Sequence, residues 1–106
     1  SSYLQLGGGT GSVKATLNLY APTDIGVTLD ISGSSKRNTS SICQTLKVKI
    51  AGTEVISYKP GSNGTHDYSF SKTGTLTSSN ATIECAGSYT AVIPWVRINT
   101  LNIKYQ

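Results

Sequence analysis

The chain has 106 residues, a net charge of +4, and only 13% charged residues. That length suits one domain. Its nine Lys and Arg residues are scattered along the sequence, whereas a nucleic-acid-binding protein clusters its basic residues. No stretch approaches the roughly 18 apolar residues that a membrane helix needs, so no membrane span is predicted.

Alternation of apolar and polar residues predicts strands in the first half of the chain. A short strand is predicted over residues 3–6, followed by Gly7-Gly8-Gly9, and a longer one over residues 13–19. Val27, Leu29 and Ile31 alternate with polar residues and predict a third strand. The polar segment 33–41 is predicted to be a loop.

The middle of the chain continues the same alternation. Residues 43–50 predict a strand with Lys47 and Lys49 on its wet face, a turn, and a partner strand over residues 55–58. A loop is predicted at 60–65, and further short strands are predicted at the ranges 67–71, 75–77 and 81–85.

The end of the chain combines an irregular stretch with a final strand. Residues 86–94 show no alternation and are predicted to be irregular. Leu101, Ile103 and Tyr105 then share one side of the last strand, and Ile98 falls off that parity. A β-bulge near Asn99-Thr100 is therefore predicted.

Eight or nine short strands without any helical periodicity define the fold class. The chain is predicted to be all-β, a two-sheet antiparallel β-sandwich of the jelly-roll kind, spanning residues 1–106 as one domain. An immunoglobulin domain is the alternative sandwich, but it places a Trp between its two cysteines. Here Trp95 follows both Cys43 and Cys85.

The two cysteines are predicted to form a Cys43–Cys85 disulfide. Neither has the partners that a zinc site needs, so no metal is predicted. Closing this loop would stabilise the fold by about 4 kcal/mol. Sequons at Asn38, Asn63 and Asn80 are consistent with export, so we expect a secreted or cell-surface protein. We also expect this chain to be one module of a larger protein. Two buried free thiols in a cytosolic protein are the alternative.

Titratable residues offer little for catalysis. His66 is the only His, and it stands beside Asp67, but neighbouring residues of a strand face opposite ways. Asp24 and Asp30 lie near opposite ends of one predicted strand, too far apart to act as a carboxylate pair. The chain is therefore not expected to be an enzyme.

Aromatic residues are the better candidates for binding. Tyr89 and Trp95 flank the irregular stretch, close to Arg97 and Asn99, and Tyr20 is a further candidate ring. Rings can stack on the C–H faces of sugars, while amide and guanidinium groups bond sugar hydroxyls and carboxylates. The alternative is that Trp95 closes the end of the hydrophobic core.

Several segments together resemble carbohydrate-binding modules of the galactose-binding-like jelly-roll type, families 6, 35 and 36. The resemblance rests on the segments 3–6 with 11–19, 25–32, 46–53, and 77–84 with 96–103. It implies ligand binding in loops at one end of the sandwich, with Trp95 as the matching ring and Asn99 as the matching polar residue. It also leaves a structural calcium open, although no acidic cluster for one is visible.

The sequence thus predicts a lectin-like, non-catalytic module that binds a polysaccharide or glycan and targets a larger extracellular protein to it. The predicted ligand-binding residues are Trp95, Tyr89, Asn99, Arg97 and Tyr20. The alternative function is a structural or adhesive sandwich that contacts other proteins through a sheet edge and keeps Trp95 fully buried.

Overall fold

A computed structural model of the chain describes residues 2–7, 11–19, 24–39, 44–77, 82–89 and 95–106. Eight strands occur in these ranges, and none of their residues is helical. No helix that could cross a membrane is found among them. The strands are β1 Leu4–Gly7, β2 Gly11–Asn18, β3 Ile25–Arg37, β4 Thr45–Ile50, β5 Thr53–Tyr58, β6 Gly64–Leu76, β7 Thr82–Tyr89 and β8 Trp95–Tyr105.

The strands form two antiparallel sheets of four. Sheet A has the order β1-β8-β3-β6, and sheet B has the order β2-β7-β4-β5. The innermost pair is β4 with β5, and around it β3 pairs with β6, β2 with β7, and β1 with β8. The chain is thus one long antiparallel ribbon folded over into two layers, which is the jelly roll predicted from the sequence.

The hydrophobic core lies between the layers, because each strand turns alternate side chains inward. Leu29 and Ile31 of sheet A and Leu46 and Ile50 of sheet B are fully buried. Along β4, buried and exposed residues alternate as the sequence predicts. The predicted core side of β8 is confirmed for Leu101 and Ile103, which pack against the core.

Strand β8 contains the predicted bulge. Thr100 lies opposite Ser32 and Ile98 lies opposite Gly33, so Asn99 is the extra residue. Gly33 is required at this place, since a Cβ there would stand 1.9 Å from the carbonyl oxygen of Arg97. The bulge explains why Ile98 is buried despite its parity.

Two predicted irregular segments are strand instead. The predicted loop at 33–41 is wrong for its first part, because β3 continues to Arg37, and the predicted irregular stretch 86–94 is wrong as far as Tyr89. The segments 67–71 and 75–77 are one strand, β6. Pairing with a neighbour over thirteen residues holds β3 and β6 extended, although their Ser and Gly residues carry no apolar alternation.

Candidate functional site

The first and last strands lie side by side at one end of sheet A. Gln5 faces Arg97 across this pair, and Gly7 faces Trp95. Val96 is fully buried on the inner side of β8, so its neighbours Trp95 and Arg97 turn toward the outer side of the sheet. The Arg97 platform, as we call this group, consists of Tyr3, Gln5, Trp95 and Arg97.

The guanidinium of Arg97 is the centre of the platform. It lies over the Trp95 ring with its Cζ 3.8 Å from the ring centroid, and over the Tyr3 ring at 4.5 Å. Its Nε donates a hydrogen bond to Oε1 of Gln5 at 3.0 Å. Two cation–π contacts and one hydrogen bond therefore fix the guanidinium plane on the surface.

The charge on this guanidinium is available to a ligand. Within the described ranges, the ion pair is Lys14–Glu84 at 3.5 Å on sheet B, and Arg97 takes part in none. A guanidinium carries five N–H donors in a planar fork, of which the bond to Gln5 uses one. The platform can therefore bind a planar anion such as a carboxylate with paired hydrogen bonds.

The backbone beneath the platform is held from the core side. The hydroxyl of Tyr68 donates a hydrogen bond to the carbonyl oxygen of Arg97 at 2.8 Å. The hydroxyl of Ser35, which is fully buried, donates to the carbonyl oxygen of Trp95 at 3.4 Å. Burial raises the pKa of Tyr68 well above its usual value, and the neighbouring Cys85 and Tyr58 add to that rise.

The structure does not bring all the predicted ligand-binding residues into contact with one another. Trp95 and Arg97 are in contact. Asn99 is the exposed bulge residue and lines a cavity beside Ile98 and Leu101. Tyr89 ends β7 in sheet B, and its side chain lies outside what the structure describes, as does the whole of Tyr20.

Sequence reasoning missed Tyr3 and Gln5 as platform residues. The sequence separates Gln5 from Arg97 by 92 positions, and only the pairing of β1 with β8 brings them together. The available signal was the alternation in residues 3–6, which places Tyr3 and Gln5 on the face opposite Leu4 and Leu6.

Cys85 is a buried free thiol on the inner face of β7. Burial raises its pKa to about 11, and the charge of Glu84 adds to the rise. The structure thus has Cys85 in its reduced form. Cys43 lies outside the described residues, so the Cys43–Cys85 disulfide stays a prediction, for the oxidised protein.

His66 supports a loop. Its Nε2 lies 2.9 Å from the carbonyl oxygen of Ser62 and 3.1 Å from the Ser62 hydroxyl, so the ring ties β6 to the turn before it. Among the described residues, no group of three or more His, Cys, Asp or Glu side chains could hold a metal ion.

Comparison with known proteins gives a likeness at the level of the fold. No family model and no curated protein matches this chain. A solved structure that does match is the C-terminal domain of EclA, described as a sugar-binding protein, with 14% identity and a TM-score of 0.57. The match covers 97% of this chain and 77% of that one, and at this identity it shows a shared β-sandwich fold.

Proposed function

We propose that this domain binds carbohydrate without catalysing a reaction, and that the Arg97 platform is part of its binding site. The observation that carries the proposal is the guanidinium of Arg97, which lies over the rings of both Tyr3 and Trp95. The sugar-binding description of the EclA domain, which shares this fold, supports the same class of function.

The platform chemistry favours a sugar with a carboxylate. The exposed Tyr3 ring offers an apolar face to the C–H groups of a sugar, and Arg97 offers N–H donors beside it. A charged hydrogen bond of this kind is stronger than one between neutral groups. The preferred ligand is therefore an acidic polysaccharide such as polygalacturonate.

The partial burial of Trp95 bears on the alternative function. A structural or adhesive sandwich was expected to bury this ring fully, whereas it lies partly exposed on the outer side of sheet A. We further propose that Tyr89 and Tyr20 extend the site, whereas Asn99, predicted from the sequence as a ligand residue, lines the cavity beside Ile98 and Leu101 instead. In this proposal the domain is a secreted or cell-surface module that holds the attached domains of a parent protein on a glycan.

Affinity electrophoresis in polygalacturonate gels, with neutral galactan gels for comparison, tests this proposal. Trp95→Ala and Arg97→Gln should each weaken retardation by acidic polymer at least about tenfold, corresponding to about 1.4 kcal/mol. Lys104→Gln is the matched control, because it removes one positive charge from the same strand at a distance from the platform.

Two outcomes would count against the proposal. The site assignment is wrong if acidic polysaccharide binds as tightly to Trp95→Ala, Tyr3→Ala and Tyr89→Ala as to the unsubstituted domain. If Lys104→Gln reduces retardation as much as Arg97→Gln, net charge alone explains the binding.

A further inference from the structure

Strands β1 and β2 are the edge strands of sheets A and B on one side of the sandwich. Strand β1 pairs with only the first four residues of β8, from Trp95 to Ile98. From Asn99 to Tyr105, the described strand that pairs with β8 is β3, on its other side. Among the described residues, no strand covers this edge of sheet A beyond Leu4, where β1 begins.

A cavity of about 190 Å³ opens at this edge. Strands β1, β2, β7 and β8 all contribute to its wall. The lining residues are Leu4, Ala15, Leu17, Cys85, Ile98, Asn99 and Leu101. Six of these seven are apolar or sulfur-containing side chains, and Asn99 is the polar one.

Leucine side chains at the cavity are left in contact with water. Leu4 is 49% exposed and Leu17 is 39% exposed. Both line the cavity together with Leu101, which packs against the core. A ligand with an apolar body would remove these leucines from water on entering, and that burial is favourable.

The volume sets the size of the ligand. An aliphatic protein cavity of about 150 Å³ stays dry and binds benzene. A slightly larger cavity with one amide at its wall fits one aromatic ring or a short alkyl chain with a polar end. Cys85, which also faces the cavity, has its pKa raised by burial, consistent with an apolar surrounding.

We propose that this inter-sheet cavity binds a small hydrophobic molecule the size of one aromatic ring, with Asn99 bonding its polar end. The site is separate from the Arg97 platform, because it lies between the sheets whereas the platform lies on the outer side of sheet A. The bulge in β8 forms the polar part of the cavity wall, because Asn99 is the extra residue of that bulge.

A methyl NMR titration with toluene tests the proposal. The methyl signals of Leu4, Leu17, Ile98 and Leu101 should shift and saturate, while those of distant core residues such as Leu46 should not. Ala15→Val and Ala15→Leu fill the cavity in two steps and should weaken toluene binding progressively, by at least tenfold for leucine. Ala86→Leu is the matched control, because Ala86 pairs with Lys14 on the outer side of sheet B.

Measurements on the unsubstituted domain are enough to overturn the proposal. An absence of saturable shifts up to the solubility limit of toluene, or equal shifts of distant methyl groups, would do so. Shifts of the same lining methyls on raising protein concentration without toluene would show that a second copy covers the cavity instead. Unchanged toluene affinity in a folded Ala15→Leu variant would also overturn it.

Discussion

Removal of the Tyr68 hydroxyl should destabilise the packing of strand β8. This hydroxyl donates to the Arg97 carbonyl at 2.8 Å from a buried ring. Tyr68→Phe leaves that carbonyl without its donor, so the free energy of unfolding should fall by about 1–2 kcal/mol. Urea unfolding measures this. Tyr105→Phe is the control, because Tyr105 is 50% exposed, and an equal loss in both variants would contradict the role of this bond.

Two buried side chains, those of Tyr68 and Cys85, should make the protein less stable in alkaline solution. Tyr68 and Cys85 are neutral when protonated, and burial raises both folded-state pKa values above those of the unfolded chain. The unfolded chain therefore loses these protons first. Under reducing conditions, the free energy of unfolding should drop as pH rises from 9.0 to about 11, as Cys85 titrates, with Tyr68 adding to the fall above pH 10.0.

Cys85→Val is the matched variant for this pH dependence, since it keeps an apolar side chain of similar size without a titrating proton. Its stability should decline less between pH 9.0 and 10.0 than that of the parent. Equal declines in the two proteins would assign the alkaline loss to other groups.

At the scale of elements, the contact between β3 and β8 depends on one glycine. A Cβ at Gly33 would stand 1.9 Å from the Arg97 carbonyl oxygen and 2.9 Å from the Tyr68 hydroxyl. The first neighbour is backbone, so the strands must move apart. Gly33→Ala should lower the free energy of unfolding by about 3 kcal/mol.

Gly61→Ala is the control for Gly33→Ala, because a Cβ at Gly61 meets nothing within 4 Å. Thermal or urea unfolding compares the two. If Gly33→Ala is no more destabilising than Gly61→Ala, then β3 and β8 do not approach each other as closely as the structure shows.

Strands could be predicted wherever one face is buried and the other is wet, as in β4 with its buried Leu46 and Val48 and its exposed Lys47. They could not be predicted in the second half of β3, where Gly33, Ser34 and Ser35 give no apolar alternation. There the ladders to β6 and β8 hold the chain extended. The local sequence pattern cannot predict these hydrogen bonds, because the strands that form them are distant in the sequence.

The candidate site divides in the same way. Trp95 and Arg97 lie two residues apart on one strand, so a sequence pattern could associate them. Tyr3 and Gln5 join them only through the pairing of the first strand with the last. The bulge at Asn99 was predictable because it breaks the parity of Ile98. The cavity beside it was not, since it depends on how far β1 extends along β8.

At the scale of the whole molecule, the ribbon interleaves the two halves of the chain. In both sheets, strands from the first half, β1 to β4, alternate with strands from the second half, β5 to β8. Each described ladder joins one strand of each half. Neither half can form a sheet of this fold alone.

Separate fragments ending and beginning at the Ala51-Gly52 turn should therefore each be unfolded, and mixing them should restore the β-sheet circular dichroism signal. This turn is the two-residue connection between β4 and β5, with φ of 50° and 82°. A first fragment carrying Gly33→Ala is the control and should assemble less well. A β-sheet spectrum from either fragment alone would contradict the interleaved topology.

The same interleaving has a consequence for biosynthesis. While a ribosome produces the first four strands, no partner for any of them has yet been made, and their apolar sides and open edges face the cell interior or the export machinery. Sheet formation waits until the second half emerges. The first half of the chain therefore has to stay soluble without its partner strands until the second half is made.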